Sequence, residues 1–531
     1  MSATDLGLVW NNTFTAELPA DPVEGAALRQ VQDAAFSRVM PTPVSSPELI
    51  SYSPELAQRL GISLETLKST AMVEALAGNR ILLGMDPYAM NYGGHQFGNW
   101  AGQLGDGRAI ALGELKAPDG TLHMLQLKGA GPTPYSRRAD GRAVLRSSVR
   151  EFLCSEAMHF LGVPTTRALS LVSTGDRVVR DMFYDGNAAP EPGSIVCRVA
   201  PSFIRFGTFE LPSSRGQHET LAALADYTIR HHFSHLKGAA QPDRDTYVAF
   251  FTDVCRSTAR LMVEWMRVGF VHGVMNTDNL SIHGITIDYG PYGWLEDFDP
   301  GWTPNTTDAH MKRYQYGNQP GIAQWNLIRL ANALFPLVED PVPLQEALDE
   351  FANVFTHGHR ASWGRKLGLT GLTEADDPLF DDLGVALQAA ETDMTIFYRN
   401  LANVDLRALD PAQIPAELME AYYQPEQLTP TVISQITGWL ERYAARVGLE
   451  ISGDQRRKKL MDSANPKYVL RNYIAQLAID GAAEGDYSVL EDVFDLLRKP
   501  YDDQPGREKW AERRPEWARS RPGCSMLSCS S

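Results

Sequence analysis

The pattern of apolar residues along this chain changes near residue 215, and this change limits the fold classes open to it. Before that point, short apolar segments bounded by Gly, Pro and Asp predict strands, with one helical segment over 142–161 among them. Beyond it, the spacing is mainly helical, most clearly at 221–233, 247–268 and 322–335. Because strands with one helix precede a helical half, we predict an α+β fold in two lobes.

The same pattern divides the chain into four consecutive parts. We expect an irregular N-terminal extension at 1–84, a strand-rich N-lobe at 85–210, a helical C-lobe at 211–400 and a helical C-terminal extension at 401–531. A non-helical segment at 272–299 interrupts the helical half. The predicted strands cover residues 108–115, 121–127, 169–172, 177–183 and 195–199.

The charge of the chain argues against two classes of partner. Its 531 residues include 49 Lys and Arg against 65 Asp and Glu, a formal net charge of −16. Nucleic-acid and anionic-membrane binders present basic surfaces, so neither partner is expected. No apolar run reaches the roughly 18–20 residues of a membrane span, and the N-terminus has neither a secretory signal nor a transit peptide. We therefore predict a cytoplasmic protein and expect a monomer.

A glycine-rich segment at 102–108 leads into the first predicted strand of the N-lobe. Gly105 and Gly107 permit positive φ and a close backbone approach, which a loop needs if it is to contact phosphate. Most glycine-rich hairpins are only turns, so this segment alone favours no ligand. It is not a P-loop, because no Gly-Lys-Ser/Thr follows the glycines.

Lys128 ends the second predicted strand, and Glu151 lies on the helical segment that follows. A strand Lys paired to a Glu on the next helix is the arrangement that positions the phosphate-binding Lys in protein kinases. The alternative is a Lys whose ammonium group simply reaches solvent. Four arginines spaced four apart accompany Glu151 and are equally consistent with a solvated helix face: Arg138, Arg142, Arg146 and Arg150.

The strongest constellation is the segment 272–279 (HGVMNTDN), followed by Asp288-Tyr289-Gly290. Protein kinases use an H-R-D-x-x-x-x-N loop and a D-F-G motif, whose Asn and second Asp bind the metal on the nucleotide. His272 and Asn279 keep this spacing, whereas Val274 replaces the usual base. Asp278, next to Asn279, offers a carboxylate instead. The residues leave three interpretations: an inactive pseudokinase, a kinase with a relocated base, or different chemistry on the same nucleotide.

Several long motifs resemble the selenoprotein O family. They are residues 91–108 (NYGGHQFGNWAGQLGDGR), 128–137 (KGAGPTPYSR), 272–279 and the terminal 528–531 (SCSS). The resemblance covers nearly the whole chain. It implies a protein-kinase-like two-lobed fold and a protein adenylyltransferase, which binds ATP in an orientation reversed from that of kinases. Such an enzyme transfers AMP from ATP to Ser, Thr or Tyr hydroxyls of proteins and releases pyrophosphate.

The resemblance also implies a role for individual residues. Asp278 matches the proton acceptor, Asn279 and Asp288 match the ligands of Mg²⁺ or Mn²⁺, and Glu151 matches the partner of Lys128. The positions that match nucleotide-binding residues are Gly105, Gly107, Arg108, Lys128, Asp140, Gly141, Arg198 and Arg205. Asp140 and Gly141 are equally consistent with a helix cap and turn. Arg198 and Arg205 carry no signal apart from the resemblance.

The five cysteines depart from the family pattern. Cys529 stands where animal relatives carry selenocysteine, whereas residues 288–320 contain no Cys and Pro304 occupies the place of its usual partner. Cys524 is close enough in sequence to pair with Cys529, or both are free thiols. The other cysteines, Cys154, Cys197 and Cys255, lie in apolar stretches and are predicted to be buried.

The sequence leaves three alternatives to adenylyl transfer open. One is protein uridylyl transfer from UTP with Mn²⁺, which the resemblance also allows. Another is ordinary γ-phosphoryl transfer, which Val274 disfavours because it cannot accept a proton. The third is a nucleotide-binding scaffold without catalysis.

Overall fold

A computed structural model of the chain describes residues 5–182, 186–448 and 453–528. The strands are β1 (Phe36–Arg38), β2 (Glu48–Tyr52), β3 (Tyr88–Met90), β4 (Gly93–Gln96), β5 (Asn99–Gln103), β6 (Ala109–Lys116), β7 (Leu122–Lys128), β8 (Ala143–Val144), β9 (Arg167–Arg180), β10 (Ala189–Ala200), β11 (Phe270–Val271) and β12 (Gly293–Trp294). The first helices are α1 (Thr13–Glu17), α2 (Pro54–Arg59), α3 (Leu64–Lys68), α4 (Thr70–Leu76), α5 (Leu145–Phe160), α6 (Phe206–Ser214), α7 (His218–His232) and α8 (Arg244–Val268). The later helices are α9 (Gln319–Val338), α10 (Pro341–Leu367), α11 (Asp377–Gln388), α12 (Met394–Leu401), α13 (Ala416–Met419), α14 (Pro430–Val447), α15 (Gly453–Ala464), α16 (Asn472–Ala483) and α17 (Ser488–Leu497).

Strands and helices are segregated along the chain, so the architecture is α+β, as the apolar pattern predicts. Eight strands form one sheet in the order β1-β3-β6-β7-β10-β9-β2, with β8 also paired to β10. Its pairings are antiparallel, and β10 lies against β7 in a register that sets Arg198 opposite Gln126. Strands β7 and β10 are far apart in the sequence, and this register brings their side chains together on one face of the sheet.

The N-terminal segment is more regular than expected. It supplies α1 to α4, and its strands β1 and β2 close the two ends of the sheet. Both strands are short, with three and five residues, and therefore carry little period-two signal. The domain boundary near residue 84 stays a prediction.

The predicted strands at 108–115 and 121–127 correspond to β6 and β7. The segments at 169–172 and 177–183 instead belong to one long strand, β9, up to Arg180, and residue 183 lies outside the described part of the chain. Helix α5 begins at Leu145 rather than 142, because Ala143 and Val144 form β8 and pair with β10.

Helix α5 lies against β9 and β10 on one side and against α16 and α17 on the other. Nearly all its side chains are buried, including the charged groups of Arg146, Arg150 and Glu151. A buried charge must be paired or hydrogen-bonded, so this helix requires polar partners from the surrounding elements. Cys154 on α5, Cys197 on β10 and Cys255 on α8 lie in the core, as predicted.

The helical half is built around α8, which packs against α9 and α10. Asp243 caps its N-terminus through a hydrogen bond from Thr246 N, and Gly269 ends it at φ 74°. The antiparallel pair β11–β12 follows, and the segment between its two strands carries residues 272–290 of the site described below. Among the helices of the described residues, none combines the length and apolar character needed to cross a membrane.

The C-terminal segment returns to the segment 304–306. Thr306 N donates to Leu527 O at 2.8 Å, and Leu527 N donates to Pro304 O at 3.2 Å. Cys524 is buried, which raises the pKa of its thiol to about 11. Cys529 lies outside the described residues, so its pairing with Cys524 stays a prediction.

Candidate active site

The structure brings Lys128 and Glu151 into contact. Lys128 ends β7, and its Nζ forms an ion pair with Glu151 Oε2 on α5. Burial lowers the pKa of Lys128, whereas the carboxylates of Glu151 and Asp288 oppose that shift. Both side chains are buried, so this pairing provides each with a partner of opposite charge.

Two buried arginines join this pair through Asp288. Arg198 Nη1 lies 2.6 Å from Asp288 Oδ1 and 3.1 Å from Glu151 Oε1. Arg205 binds the other oxygen, Asp288 Oδ2, and also donates to the main-chain carbonyl of Asp278 at 2.7 Å. One carboxylate therefore faces two guanidinium groups. Lys128 Nζ is also close to it, at 3.5 Å from Oδ1.

Asp288 adopts φ 58°, in the left-handed region that Asp tolerates better than most residues. Burial opposes its ionisation, but Arg205, Arg198 and Lys128 hold the pKa of its carboxyl well below the usual range. Asp288 is therefore an anion held by three cations, and a polyphosphate would also offer these cations anionic oxygens.

Asp278 lies beside this cluster on a single 3₁₀ turn, Thr277–Asn279. Gln96 Nε2 donates to its Oδ2 at 3.2 Å, whereas its buried Oδ1 accepts no hydrogen bond within the described residues. Burial raises the pKa of Asp278 to about 7. A carboxyl with a free buried oxygen and a pKa near neutrality has the properties of a general base.

Asn279 follows Asp278 and is oriented by its own turn. Its Nδ2 donates to the carbonyl of Val274 at 2.9 Å, so its Oδ1 remains available to a ligand. His272 is buried against Trp265, and burial lowers its pKa. Its Nε2 lies 3.0 Å from the carbonyl of Ile287, a contact that ties the 272–279 segment to the strand-like run before Asp288.

The remaining predicted residues differ in how closely they are connected to this cluster. Gly141 has φ 70°, and a Cβ there would lie 2.1 Å from Gly131 O, so this position requires glycine. Asp140 is half exposed and forms an ion pair with Arg180 at 2.6 Å, separate from the Asp288 cluster. Arg108 is half buried and forms no ion pair within the described residues, which leaves its charge available at the Lys128 end of the site.

The four predicted arginines do not form one stripe. Arg138 lies in an exposed loop, and Arg142 precedes α5 and donates to the carbonyl of Thr42 at 3.1 Å. Arg146 pairs with Glu191 at 2.8 Å. Arg150 donates to Tyr292 O at 2.7 Å. These interactions assign Arg146 and Arg150 to packing between elements.

Two further side chains of the site, Gln126 and Gln96, are not among the predicted site residues. Gln126 shares a strand face with Lys128, two residues away, and its Oε1 accepts from Arg198. Gln96 lies on β4 and contacts Asp278. The alternation along β7 would have identified Gln126, whereas no sequence signal joins the hairpin β4–β5 to residue 278.

Gly105 and Gly102 provide a matched test of the glycine-rich segment. Both have φ above 70°, but a Cβ at Gly105 would lie 2.2 Å from Tyr135 Cγ, whereas Gly102 has open space. We expect Gly102→Ala to lower the free energy of unfolding by about 1 kcal/mol, because only backbone strain is added. Gly105→Ala should cost a further ~1–3 kcal/mol through overpacking. Urea denaturation measures both, and equal losses would contradict the close packing of Tyr135 on Gly105.

Comparison with known proteins identifies the class of this chain. The family model described as "Protein adenylyltransferase SelO" matches residues 24–498. The chain is 57% identical over 539 residues to a protein from Rhodopirellula baltica and 58% identical over 525 residues to one from Azoarcus sp. (strain BH72), covering 99% of each chain in both cases. Both relatives are named "Protein nucleotidyltransferase YdiU". The chain is therefore a nucleotidyltransferase.

Within that class, the chain belongs to the protein adenylyltransferase SelO family. This confirms the resemblance to the selenoprotein O family drawn from the motifs. A relative from Xanthomonas campestris pv. campestris, with the same printed name, is 55% identical over 524 residues and 99% of each chain.

Proposed function

We propose that this enzyme transfers AMP from ATP to hydroxyl side chains of proteins and releases pyrophosphate. The observation that carries the proposal is the pairing of a buried cation cluster with the free buried Oδ1 of Asp278. The cluster provides charge for a polyphosphate, and Asp278 provides a proton acceptor beside it. The family description supports the same reaction.

The proposed nucleotide site lies between two lobes of a protein-kinase-like fold. The N-lobe at 85–210 contributes Lys128, Arg198 and Arg205, and the C-lobe at 211–400 contributes Asp278 and Asp288. In the structure, Asp288 and Glu151 supply the negative charge that these cations need. We infer that phosphate oxygens share these cations when ATP binds, with Arg108 at the outer end, while Gly105, Gly107, Asp140 and Gly141 shape the surrounding loops. Extensions at 1–84 and 401–531 pack around these lobes.

Asp278 is the proposed base. The acceptor hydroxyl oxygen attacks the α-phosphorus, the bond from that phosphorus to the bridging oxygen of the β-phosphate breaks, and pyrophosphate leaves. The hydroxyl proton passes to Asp278 Oδ1, the oxygen that accepts no other hydrogen bond in the described residues. Gln96 holds the other oxygen and so fixes the orientation of the carboxyl group.

The donor set fits a hard divalent cation. Asn279 has a free amide oxygen, and Asp288 has a carboxylate that stays ionised. The described residues contain no cluster of three or more His, Cys, Asp or Glu side chains, so the remaining ligands would come from the nucleotide and water. Bound Mg²⁺ or Mn²⁺ would neutralise charge on the leaving pyrophosphate.

Isotope position in the product tests the reaction. We expect protein acceptors to retain label from ATP labelled on the α-phosphate and none from ATP labelled on the γ-phosphate, because the β- and γ-phosphates leave together. Scintillation counting of precipitated protein measures both reactions, and α-labelled UTP with Mn²⁺ tests uridylyl transfer in parallel. Retention of γ-label would make the chain a kinase, and nucleotide binding without any transfer would favour a scaffold.

A further inference from the structure

The hairpin β4–β5 carries a second group of side chains that the nucleotide site does not use. Phe97 and Gly98 form its two-residue turn, both at positive φ, which is typical of a type I′ turn. Phe is unusual at φ 49°, and Phe97 N donates to Asn276 Oδ1 at 3.1 Å. His95 N also donates to Thr277 Oγ1 at 2.7 Å. The hairpin is therefore fixed against the turn that bears Asp278.

Aromatic rings extend from this hairpin to helix α9. The His95 ring lies between Trp100, at 5.1 Å, and Trp325 of α9, at 5.5 Å. His95 Nδ1 lies 2.6 Å from Glu210 Oε1, which fixes the ring. Trp100 is 40% exposed and Trp325 is half buried, so both indoles present part of their surface to solvent.

Two guanidinium groups flank Trp325. Arg313 Cζ lies 4.6 Å and Arg329 Cζ lies 4.8 Å from the ring centroid. Neither arginine forms an ion pair with a carboxylate of the described residues, and the Nε of each is buried without a partner. Cation–π contacts partly offset the repulsion of two like charges at one ring, but they give neither Nε a hydrogen-bond acceptor.

Asp308 accepts from the main-chain N of Arg313 at 3.0 Å, but in the described part of the chain neither guanidinium group forms an ion pair, which contrasts with the composition of the chain. Acidic residues outnumber basic ones by 65 to 49, and the buried arginines of the nucleotide site each have a carboxylate. Arg313 also packs on the hairpin turn, since a Cβ at Gly98 would lie 3.4 Å from its Cζ. An anionic group bound between Arg313 and Arg329 would therefore lie next to the hairpin that contacts Asp278.

We propose that Trp100, Trp325, Arg313 and Arg329 form a docking surface for an acidic segment of the protein acceptor. The inference rests on the proposed function, because it assigns the acceptor to the same site. Glu or Asp side chains of the acceptor satisfy the two guanidinium groups in bidentate pairs, and its apolar groups cover the indoles. The surface thereby selects hydroxyls that have acidic neighbours.

Peptide binding without nucleotide tests the proposal separately from catalysis. Two fluorescein-labelled Ser peptides are compared by anisotropy, one with Glu and one with Gln on both sides of the Ser. We expect the native protein to bind the Glu peptide about tenfold or more tightly than the Gln peptide. Arg313→Gln with Arg329→Gln should remove this difference, and Arg313→Lys with Arg329→Lys should keep part of it, because Lys retains charge without the planar fork.

Arg442→Gln is the matched control, since Arg442 forms an exposed pair with Asp382 elsewhere on the surface. It should preserve the preference for the Glu peptide. Equal affinity of the native protein for both peptides, or a preference that survives the double Gln variant, would overturn the proposal. Binding of inorganic phosphate at this cluster without either peptide would also overturn it. If the preference holds but label arrives from the γ-phosphate, the docking surface stands and the proposed function fails.

Discussion

Asp278→Asn should reduce nucleotide transfer by about 10²–10⁴-fold while leaving ATP affinity nearly unchanged. The amide keeps the shape of the side chain but cannot accept the hydroxyl proton. The Asp278 carboxylate forms no ion pair with the cation cluster within the described residues, where the paired carboxylates are Asp288, Glu151 and Asp106, so nucleotide binding is preserved. Initial rates with α-labelled ATP measure the loss, and equilibrium binding of a non-hydrolysable ATP analogue measures affinity.

Stability provides the control for this variant. Burial raises the pKa of Asp278 to about 7 in the native state, from a usual value near 3.8. The native state therefore holds a proton that the unfolded chain has lost, and this group makes stability fall as pH rises from about 4 to 7. Asp278→Asn should be at least as stable as the native protein at pH 8. Full activity in a folded Asn variant would exclude Asp278 as the base.

The contacts between residues that are close in the sequence are predictable from periodicity and motif spacing. Lys128 at a strand end and Glu151 meet because α5 is the first helix after β7, and Asp288 follows Asn279 at a motif spacing. Arg198 reaches the same cluster only through the pairing of β10 with β7. A single sequence does not specify which strands pair, so only the family resemblance identified this arginine.

Other features lacked any periodic signal. The hairpin β4–β5 is rich in Gly and polar residues, with no apolar alternation, and its contact with Thr277 spans 182 residues. The C-terminal half of β9 extends beyond the core. Its exposed residues interrupt the run of apolar side chains, so the sequence predicts two short strands instead of one long strand. These elements are specified by tertiary contacts, which propensity and spacing do not record.

Asp288→Asn should lower the free energy of unfolding by about 3–5 kcal/mol, because it removes the carboxylate shared by three buried cations. Arg198 and Arg205 are both almost completely buried and both bind this carboxylate. The pKa of Asp288 is held well below its usual range, so its contribution is fully present above about pH 4 and is lost only as pH falls through the depressed native value. The difference in unfolding free energy between the native protein and Asp288→Asn should therefore be constant between pH 5 and 8. Asp86→Asn is the matched control: its pair with Arg38 is about one-third exposed and should cost no more than ~1 kcal/mol.

The same variant tests whether the cluster is a polyphosphate site. In Asp288→Asn, Lys128, Arg198 and Arg205 lose the one carboxylate that all three share, although Glu151 still pairs with Lys128 and Arg198, so an added polyphosphate should gain more attraction from the cluster. We expect tripolyphosphate, with EDTA present to exclude metal, to raise the melting temperature of the variant more than that of the native protein. Scanning fluorimetry across a tripolyphosphate series measures both shifts. A larger shift in the native protein would mean that phosphates bind elsewhere, because only a ligand of these three cations gains when Asp288 loses its charge.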